Sequence, residues 1–414
     1  MIKRGYDYDV VVIGGGPAGA VAAERAAKRG AKVFLIERSD PEDRPVRCTG
    51  LVSPRTLEEA AVGPEVVVRG IRGASIYAPN GHRLWLGGGD GGGEPRPRPR
   101  ALVIDRRRFD LALLERAAAV GVKVETETTA VGLEAGSVRL RRGREEWTVR
   151  ARVVIGADGP RSGVARWSGL PGPREIILGL QAIAHYEPER EDEVEVFLGN
   201  EVAPGFFAWA VPESPGSARI GLGLRLRLGL GPSEGQNGRR YLDRLLRRLK
   251  ILTAEVQRFT AGLIPIGPPA RTVSDGVLLV GDAAGQAKPT SGGGLYTGIV
   301  CAKLAGEVAA KCAERGDTSA AALMEYERRW RRALGRELAF GLRVHRILAR
   351  LSDPALNRII AFLDDPEILD LLNEYGDLDY PSGVVKELLN SPHLWHRLLR
   401  VVPQAAGLIK ADRA

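Results

Sequence analysis

The residues best suited to chemistry stand in three short stretches. Gly14-Gly15-Gly16-Pro17-Ala18-Gly19 has the spacing of a dinucleotide-phosphate turn. Gly14 permits a tight turn, Gly16 lets backbone approach a pyrophosphate, and Gly19 lets a helix pack close to a strand. Amides at the start of the helix that follows face the phosphates with the positive end of the helix dipole. Glu37, eighteen residues after Gly19, is placed to accept hydrogen bonds from ribose hydroxyls. Far along the chain, Gly281-Asp282-Ala283-Ala284-Gly285 and Gly292-Gly293-Gly294 extend the pattern. Asp282 can bind a ribityl hydroxyl, and the glycines let a helix start approach a flat ring, whose anionic reduced form the dipole stabilises. Between these stretches lies Cys48, with Arg47 beside it. It reads either as a small buried residue in a connector or as a reactive position where the arginine favours a thiolate or a nearby anion.

Strands and helices must hold these residues. Val10-Val11-Val12-Ile13 reads as a buried strand feeding the first turn, an alanine-rich helix runs from Pro17 to about Arg29, and Lys32 to Ile36 is a second apolar strand ending at Glu37. Val153-Val154-Ile155, ahead of Gly156-Ala157-Asp158-Gly159, reads as a returning strand of the same parallel sheet. Asp158 there either caps the next turn or touches the cofactor. Residues 70–86 alternate as strands, and Gly87 to Arg100 is low in complexity and reads as a mobile hairpin tip. Residues 102–110 lead into a helix that continues to Ala119, with Phe109, Leu113 and Ala117 at core spacing and Arg106 at the strand-to-helix junction, within reach of a bound cofactor. Strand patterns follow at Val122–Thr126, Ser137–Arg141 and Trp147–Val149, with Ala130 at a turn between them.

From residue 171 to 265 the texture changes to antiparallel alternation, at Ile176–His185, Glu193–Leu198, Gly205–Val211 and Ala218–Arg225. A helix with Tyr241, Leu242, Leu245, Leu246 and Leu249 on one stripe covers it, and a twisted sheet of this kind makes a wall for a substrate cavity. Val277–Val280 carries Asp282, and a helix opens after Lys288–Gly294 and runs to about Lys311, with Cys301 and Cys312 as packing residues. Beyond Ala320 the pattern is helical and basic. The apolar face of Leu394, Trp395, Leu398, Leu399, Val401 and Val402 reads as docked on the body or as an interfacial helix on anionic lipid. The expected fold class is α/β: a Rossmann-like FAD-binding domain with a parallel sheet (1–75, 101–170 and 266–320), an inserted antiparallel-sheet substrate domain (76–100 and 171–265) and a C-terminal helical region (321–414).

Composition narrows the partners. With 44% hydrophobic and 27% charged residues over 414, the chain is that of a folded protein with a large core. Its net charge of +9 is spread through helices without interleaved aromatics, which weighs against nucleic acid and leaves an anionic membrane or an acidic substrate. Three cysteines offer no disulfide framework, which points to a reducing compartment. The five histidines show no metal-ligand spacing. No signal peptide precedes the first strand, and no apolar run reaches the roughly 20 residues needed to span a bilayer. The expectation is a cytoplasmic protein with at most peripheral contact with an anionic membrane.

Together these motifs resemble the flavoprotein superfamily of para-hydroxybenzoate hydroxylase type. Gly14–Gly19 with Glu37, Asp105-Arg106 with Phe109-Asp110, Gly156-Ala157-Asp158-Gly159 and Gly281-Asp282-Ala283-Ala284 occur in that superfamily's order. Within it, Phe207-Ala208-Trp209-Ala210-Val211-Pro212 followed by Gly221-Leu222-Gly223, and the loop Arg47-Cys48-Thr49-Gly50, resemble the geranylgeranyl reductases, which saturate isoprenoid double bonds. Phe207 and Val211 stand where that family usually has Tyr and Phe, and Thr49 where it often has Gly. The resemblance implies FAD as cofactor, contacted by Gly14, Gly16, Ala18, Gly19, Glu37, Cys48, Thr49, Leu51, Arg106, Ala130, Asp282, Gly294 and Leu295. Trp209 and Pro212 are the implied walls of a lipid cavity.

The function implied is flavin-dependent reduction of polyprenyl C=C bonds, on a digeranylgeranyl glycerophospholipid, with Cys48 supplying a proton or positioning the alkene. No second complete dinucleotide motif is present, so NAD(P)H and ferredoxin both stand as electron donors. The same scaffold serves flavin hydroxylases and epoxidases, and a noncatalytic lipid-binding protein that retains FAD would carry the same motifs. Product mass separates these readings.

Overall fold

The computed structural model describes residues 6–43, 45–87, 99–226 and 233–401. Most of the segment read as a hairpin tip, and Val402 at the end of the apolar face, lie outside the described residues.

Strand Tyr8–Ile13 runs parallel between Val33–Ile36 and Glu145–Gly156. Val10, Val11 and Val12 have no exposed surface, the mark of a strand covered on both faces. Lys123–Glu125 lies at one edge of this sheet, and Val277–Leu279 with Val273–Ser274 at the other. The two strands expected at Trp147–Val149 and Val153–Ile155 are one, Glu145–Gly156. Its first half pairs antiparallel with Ser137–Arg142, and its second half runs parallel to Tyr8–Ile13. The continuity is masked in sequence because the strand passes from a half-exposed ribbon to a fully buried sheet within one element. Ala130 corrects a second expectation: it lies inside the strand Thr129–Glu134, and the turn falls at Ala135-Gly136, both with positive φ as a tight hairpin requires.

Helix Pro17–Lys28 packs directly on helix Leu295–Arg315. A Cβ on Gly306 would sit 2.2 Å from the Ala22 carbonyl, so only glycine permits this approach. Cys301 and Cys312 are buried in the same helix and are free thiols. Ahead of it, Gly281–Ala284 forms a single 3₁₀ turn carrying Asp282.

A seven-stranded sheet forms the second layer, in the order Val256–Ile266, Glu175–His185, Ser217–Arg225, Ala208–Ser214, Glu193–Phe197, Gly73–Tyr77 and Arg83–Leu86. Since Gly73–Tyr77 pairs with Glu193–Phe197, the chain enters this sheet just before Gly73, inside the 1–75 segment expected to be wholly flavin-binding. The back of the sheet packs under helix Ser233–Arg248 through Ala208, Ala210, Ile220, Leu222, Leu242, Leu245 and Leu246. Its front packs on a three-stranded sheet made of Leu51–Val52, Ala101–Ile104 and Val67–Ile71.

Six helices close the described chain, from Ala320–Trp330 to Pro392–Val401. Trp330 and Tyr326 are wholly buried, with Tyr326 Oη donating to the Leu279 carbonyl (2.8 Å) and Trp330 Nε1 to Thr272 Oγ1 (3.1 Å). Leu394 packs on Phe362, Ile368, Val384 and Leu388, and Trp395 on Ile347 and Ile359, so the apolar face of the last helix is turned inward. No helix among the described residues is long and apolar enough to cross a membrane.

Candidate active site

The first turn meets its steric requirements through particular atoms. Gly14 has φ +108°, and a Cβ on it would lie 2.3 Å from the Ala157 carbonyl oxygen. A Cβ on Gly19 would lie 1.8 Å from the Gly14 oxygen. Gly16 caps the helix, and an added Cβ there meets nothing within 4 Å, so its backbone faces open space in front of the helix amides. Room of this kind beside a helix N-terminus suits a pyrophosphate. Glu37 does more than await a ribose. One carboxylate oxygen accepts from Gly15 N–H at 2.8 Å, and the other accepts from the backbone and hydroxyl of Ser39 at 3.1 and 2.7 Å. Thr128 N–H donates to the Glu37 carbonyl at 2.9 Å, which brings the strand carrying Ala130 to the same edge.

The second turn closes on the first. The Cβ of Ala18 lies 3.0 Å from the place a Cβ on Gly281 would take. Gln286, wholly buried, holds the turn by accepting from Gly281 N–H at 2.8 Å and donating to Tyr326 Oη at 3.1 Å. Asp282 has no hydrogen bond to its carboxyl among the described residues. Burial raises that carboxyl to about 6, and Arg106 opposes the rise. An oxygen of Asp282 lies 3.3 Å from the Cβ position of Gly294, the residue that precedes helix Leu295–Arg315. A half-buried carboxyl with no hydrogen-bond donor among the described residues, beside a glycine-lined helix start, fits the ribityl end of a flavin.

Arg106 links this turn to the cysteine loop. Burial disfavours its charge, but Asp110 first and Cys48 second reverse the effect and hold its pKa well above the usual guanidinium range. The anchor is bidentate, Nε to Asp110 Oδ1 at 3.0 Å and Nη2 to Oδ2 at 3.1 Å. Asp110 was legible only as part of a motif, although its i,i+4 spacing from Arg106 on a helix is itself a pairing signal. Cys48 Sγ accepts from Gly50 N–H at 3.3 Å and faces the Arg106 guanidinium. Asp158, left open between two roles, is a cap: its oxygens accept from Ser162 Oγ (2.6 Å), Gly163 N–H (2.6 Å) and Val164 N–H (3.1 Å).

The front of the seven-stranded sheet supplies the apolar wall. Trp209 and Leu51 both pack against the buried cluster that holds Val103, Val194 and Val211, which joins the strand leaving the cysteine loop to the sheet. Gly221 and Gly223 make room for aromatic rings: added Cβ atoms would lie 2.6 Å from Trp209 and 2.3 Å from Phe206. Phe206 stacks on Phe207 (4.3 Å), which meets Trp209 edge-on (5.9 Å). Phe206 escaped the sequence reading as a wall residue; its signal was the Gly223 that accommodates it. Pro212 is not alongside Trp209. Three residues on in the same strand, it falls on the opposite face, with Ala208 and Ala210.

Fold and site together define an FAD-binding flavoprotein, an oxidoreductase whose cofactor is FAD. Residues 7–339 match the family model described as "FAD binding domain". Within that class the chain belongs to the digeranylgeranylglycerophospholipid reductase family. It is 35% identical over 371 residues to the digeranylgeranylglycerophospholipid reductase of Methanothrix thermoacetophila, covering 87% of this chain and 92% of the relative. It is 36% identical over 388 residues to digeranylgeranylglycerophospholipid reductase 2 of Methanopyrus kandleri, covering 88% and 93%. Among solved structures, a geranylgeranyl bacteriochlorophyll reductase-like protein from Thermoplasma acidophilum shares 30% identity and a TM-score of 0.78, over 92% of this chain and 98% of its own.

Proposed function

We propose that this protein saturates carbon–carbon double bonds of geranylgeranyl chains, and that its substrate is a digeranylgeranyl glycerophospholipid of membrane-lipid biosynthesis. The observation that carries this reading is that Trp209 and Leu51 both pack against one buried apolar cluster, Val103, Val194 and Val211, which joins an apolar, aromatic wall to the strand that leaves the Cys48 loop. Such a wall suits a long hydrocarbon chain and keeps water from the reacting bond. On this reading the seven-stranded sheet is the substrate-binding part of the molecule. Gly14, Gly16, Ala18, Gly19 and Glu37 hold the dinucleotide end of FAD, flanked by Ala130. Cys48, Thr49, Leu51, Arg106, Asp282, Gly294 and Leu295 surround the rest.

Reduced FAD, held by these residues, would supply a hydride for one alkene carbon. An isolated trisubstituted alkene accepts hydride poorly, so a proton must reach the other carbon while positive charge builds at the tertiary centre. Cys48 is our candidate for giving that proton or for holding the alkene. Its sulfur faces the Arg106 guanidinium, which Asp110 holds in place beside the loop. Purified Cys48→Ala with bound FAD and undiminished saturation would remove Cys48 from the reaction.

The reading is tested by anaerobic turnover of a geranylgeranyl lipid with NADH, NADPH or reduced ferredoxin, followed by mass spectrometry. A gain of two hydrogens per step is expected, and the donor that sustains it is the physiological class. Gain of one oxygen in air would make the protein a monooxygenase. Photoreduced flavin that lipid never reoxidises would make it a noncatalytic binder. Peripheral contact with an anionic membrane stays part of the proposal on the net charge of +9 and the lipid nature of the substrate, since the last helix buries Leu394 and Trp395. It would be abandoned if anionic vesicles at low salt failed to retain the protein.

A further inference from the structure

Two buried polar side chains on the front of the seven-stranded sheet stand outside the reading above. Gln181 and Arg219 are each 7% exposed, on adjacent strands, and both reach Thr49, the neighbour of Cys48. In the ladder Gln181 faces Gly221 and Ile183 faces Arg219, so residues 181 and 219 are diagonal neighbours on one face. Thr49 Oγ1 donates to Gln181 Oε1 at 2.9 Å, and Arg219 Nη1 donates to the Thr49 carbonyl at 2.6 Å. Arg219 reaches that carbonyl across Gly50, where φ is +75° and an added Cβ would lie 2.6 Å from Nη1. Glu213 balances its charge at 2.5 Å.

Gln181 Oε1 has a second donor, Trp209 Nε1, at 3.4 Å. Indole N–H can only donate, so the atom it faces must be the amide oxygen. The acceptor is therefore shared between the cysteine loop and the aromatic wall. The Gln181 amide nitrogen makes no hydrogen bond among the described residues and is not among the fully buried orphans, so it keeps some accessible surface.

We propose that Gln181 and Arg219 are positioning residues for Cys48, a clamp on the Thr49 side chain and carbonyl that ties the cysteine loop to the Trp209 wall. A loop held by a rigid sheet at both its side chain and its backbone keeps Cys48 in one place, and the shared oxygen couples that place to the indole against which substrate lies. The inference rests on the reading of Cys48 as a functional residue.

The test uses FAD-loaded Gln181→Met, which keeps length and removes the acceptor, and Gln181→Glu, which keeps an acceptor oxygen for both donors. Iodoacetamide alkylation of Cys48 reports its setting without turnover, because Cys301 and Cys312 are buried. With FAD content unchanged, Gln181→Met should alter the alkylation rate several-fold and lower kcat about tenfold, with KM changed far less, as loss of one hydrogen bond at a reacting group does. Gln181→Glu should restore most of both, and in a Cys48→Ala background Gln181→Met should have no further effect on kcat. An unchanged alkylation rate, or an equal loss of kcat with Cys48 absent, overturns the clamp. If Cys48→Ala itself retains full activity, the role of Cys48 falls, and the alkylation rate alone still decides whether the clamp positions it.

Discussion

A Cβ on Gly221 would lie 2.6 Å from both the indole of Trp209 and the carbonyl oxygen of Leu180. The glycine leaves the floor on which the indole rests. Gly221→Ala must move the ring, and the backbone of Leu180 prevents the strand from absorbing the methyl. We expect a loss of about 1–3 kcal/mol in stability from overpacking, retained FAD, and a drop of tenfold or more in lipid reduction. Flavin absorbance of the purified variant, its denaturant midpoint and single-turnover reoxidation by lipid measure the three separately. Full activity would show that Trp209 is not a wall of the substrate site.

The carboxyl of Asp282 sets a pH dependence that can be worked out in sign. Burial raises it to about 6, against about 3.9 in an unfolded chain. Between these values the folded protein holds a proton that the unfolded chain has released. Asp282 therefore favours the folded state at low pH, and this contribution is lost as pH rises through about 6. In cofactor-free protein, the wild type should lose stability relative to Asp282→Asn across that window. FAD binding should run the other way and tighten as pH rises through it, because a ribityl hydroxyl donates a stronger, charge-assisted hydrogen bond to the carboxylate than to the acid. Thermal midpoints of both proteins and flavin titrations across pH check this; parallel curves would place the titration elsewhere.

Lys288 and Asp379 form an ion pair at 2.7 Å, with the Asp379 side chain wholly buried and that of Lys288 11% exposed. Ser53 donates to the other Asp379 oxygen, and Lys288 Nζ also donates to the Leu378 carbonyl at 2.8 Å. The pair pins the segment between two C-terminal helices to the loops on either side of the flavin site. Removing one partner leaves a buried charge uncompensated, so Asp379→Ala should cost about 3–5 kcal/mol. Lys288→Met with Asp379→Leu should recover most of it. Urea midpoints decide the matter, and a loss below about 1 kcal/mol would mean that water replaces the missing carboxylate.

Most of the elements were legible because their signals are local. Val10 to Ile13 declares a buried strand by being apolar throughout, and Gly14 and Gly19 declare a tight turn by their spacing, since a side chain on Gly19 would collide with the Gly14 carbonyl five residues back. Failures came where one element spans two environments. Glu145–Gly156 looks like two strands because half of it is solvent-facing, and Ala130 looked like a turn because an isolated alanine carries no periodicity.

By itself the sequence determined a parallel sheet with a dinucleotide turn, a second turn bearing Asp282, an antiparallel insert and a helical end. Each follows from steric and hydrophobic rules acting within about 30 residues, the length of one strand–helix–strand unit. Tertiary structure alone decided which chemistry meets which. It set Arg106 between Asp282 and Cys48, turned Pro212 away from Trp209, closed Glu37 back onto Gly15, and brought Gln181 and Arg219 to Thr49. Those contacts join residues tens to hundreds of positions apart, and the register and face of each strand, which pairing between strands sets, decide them.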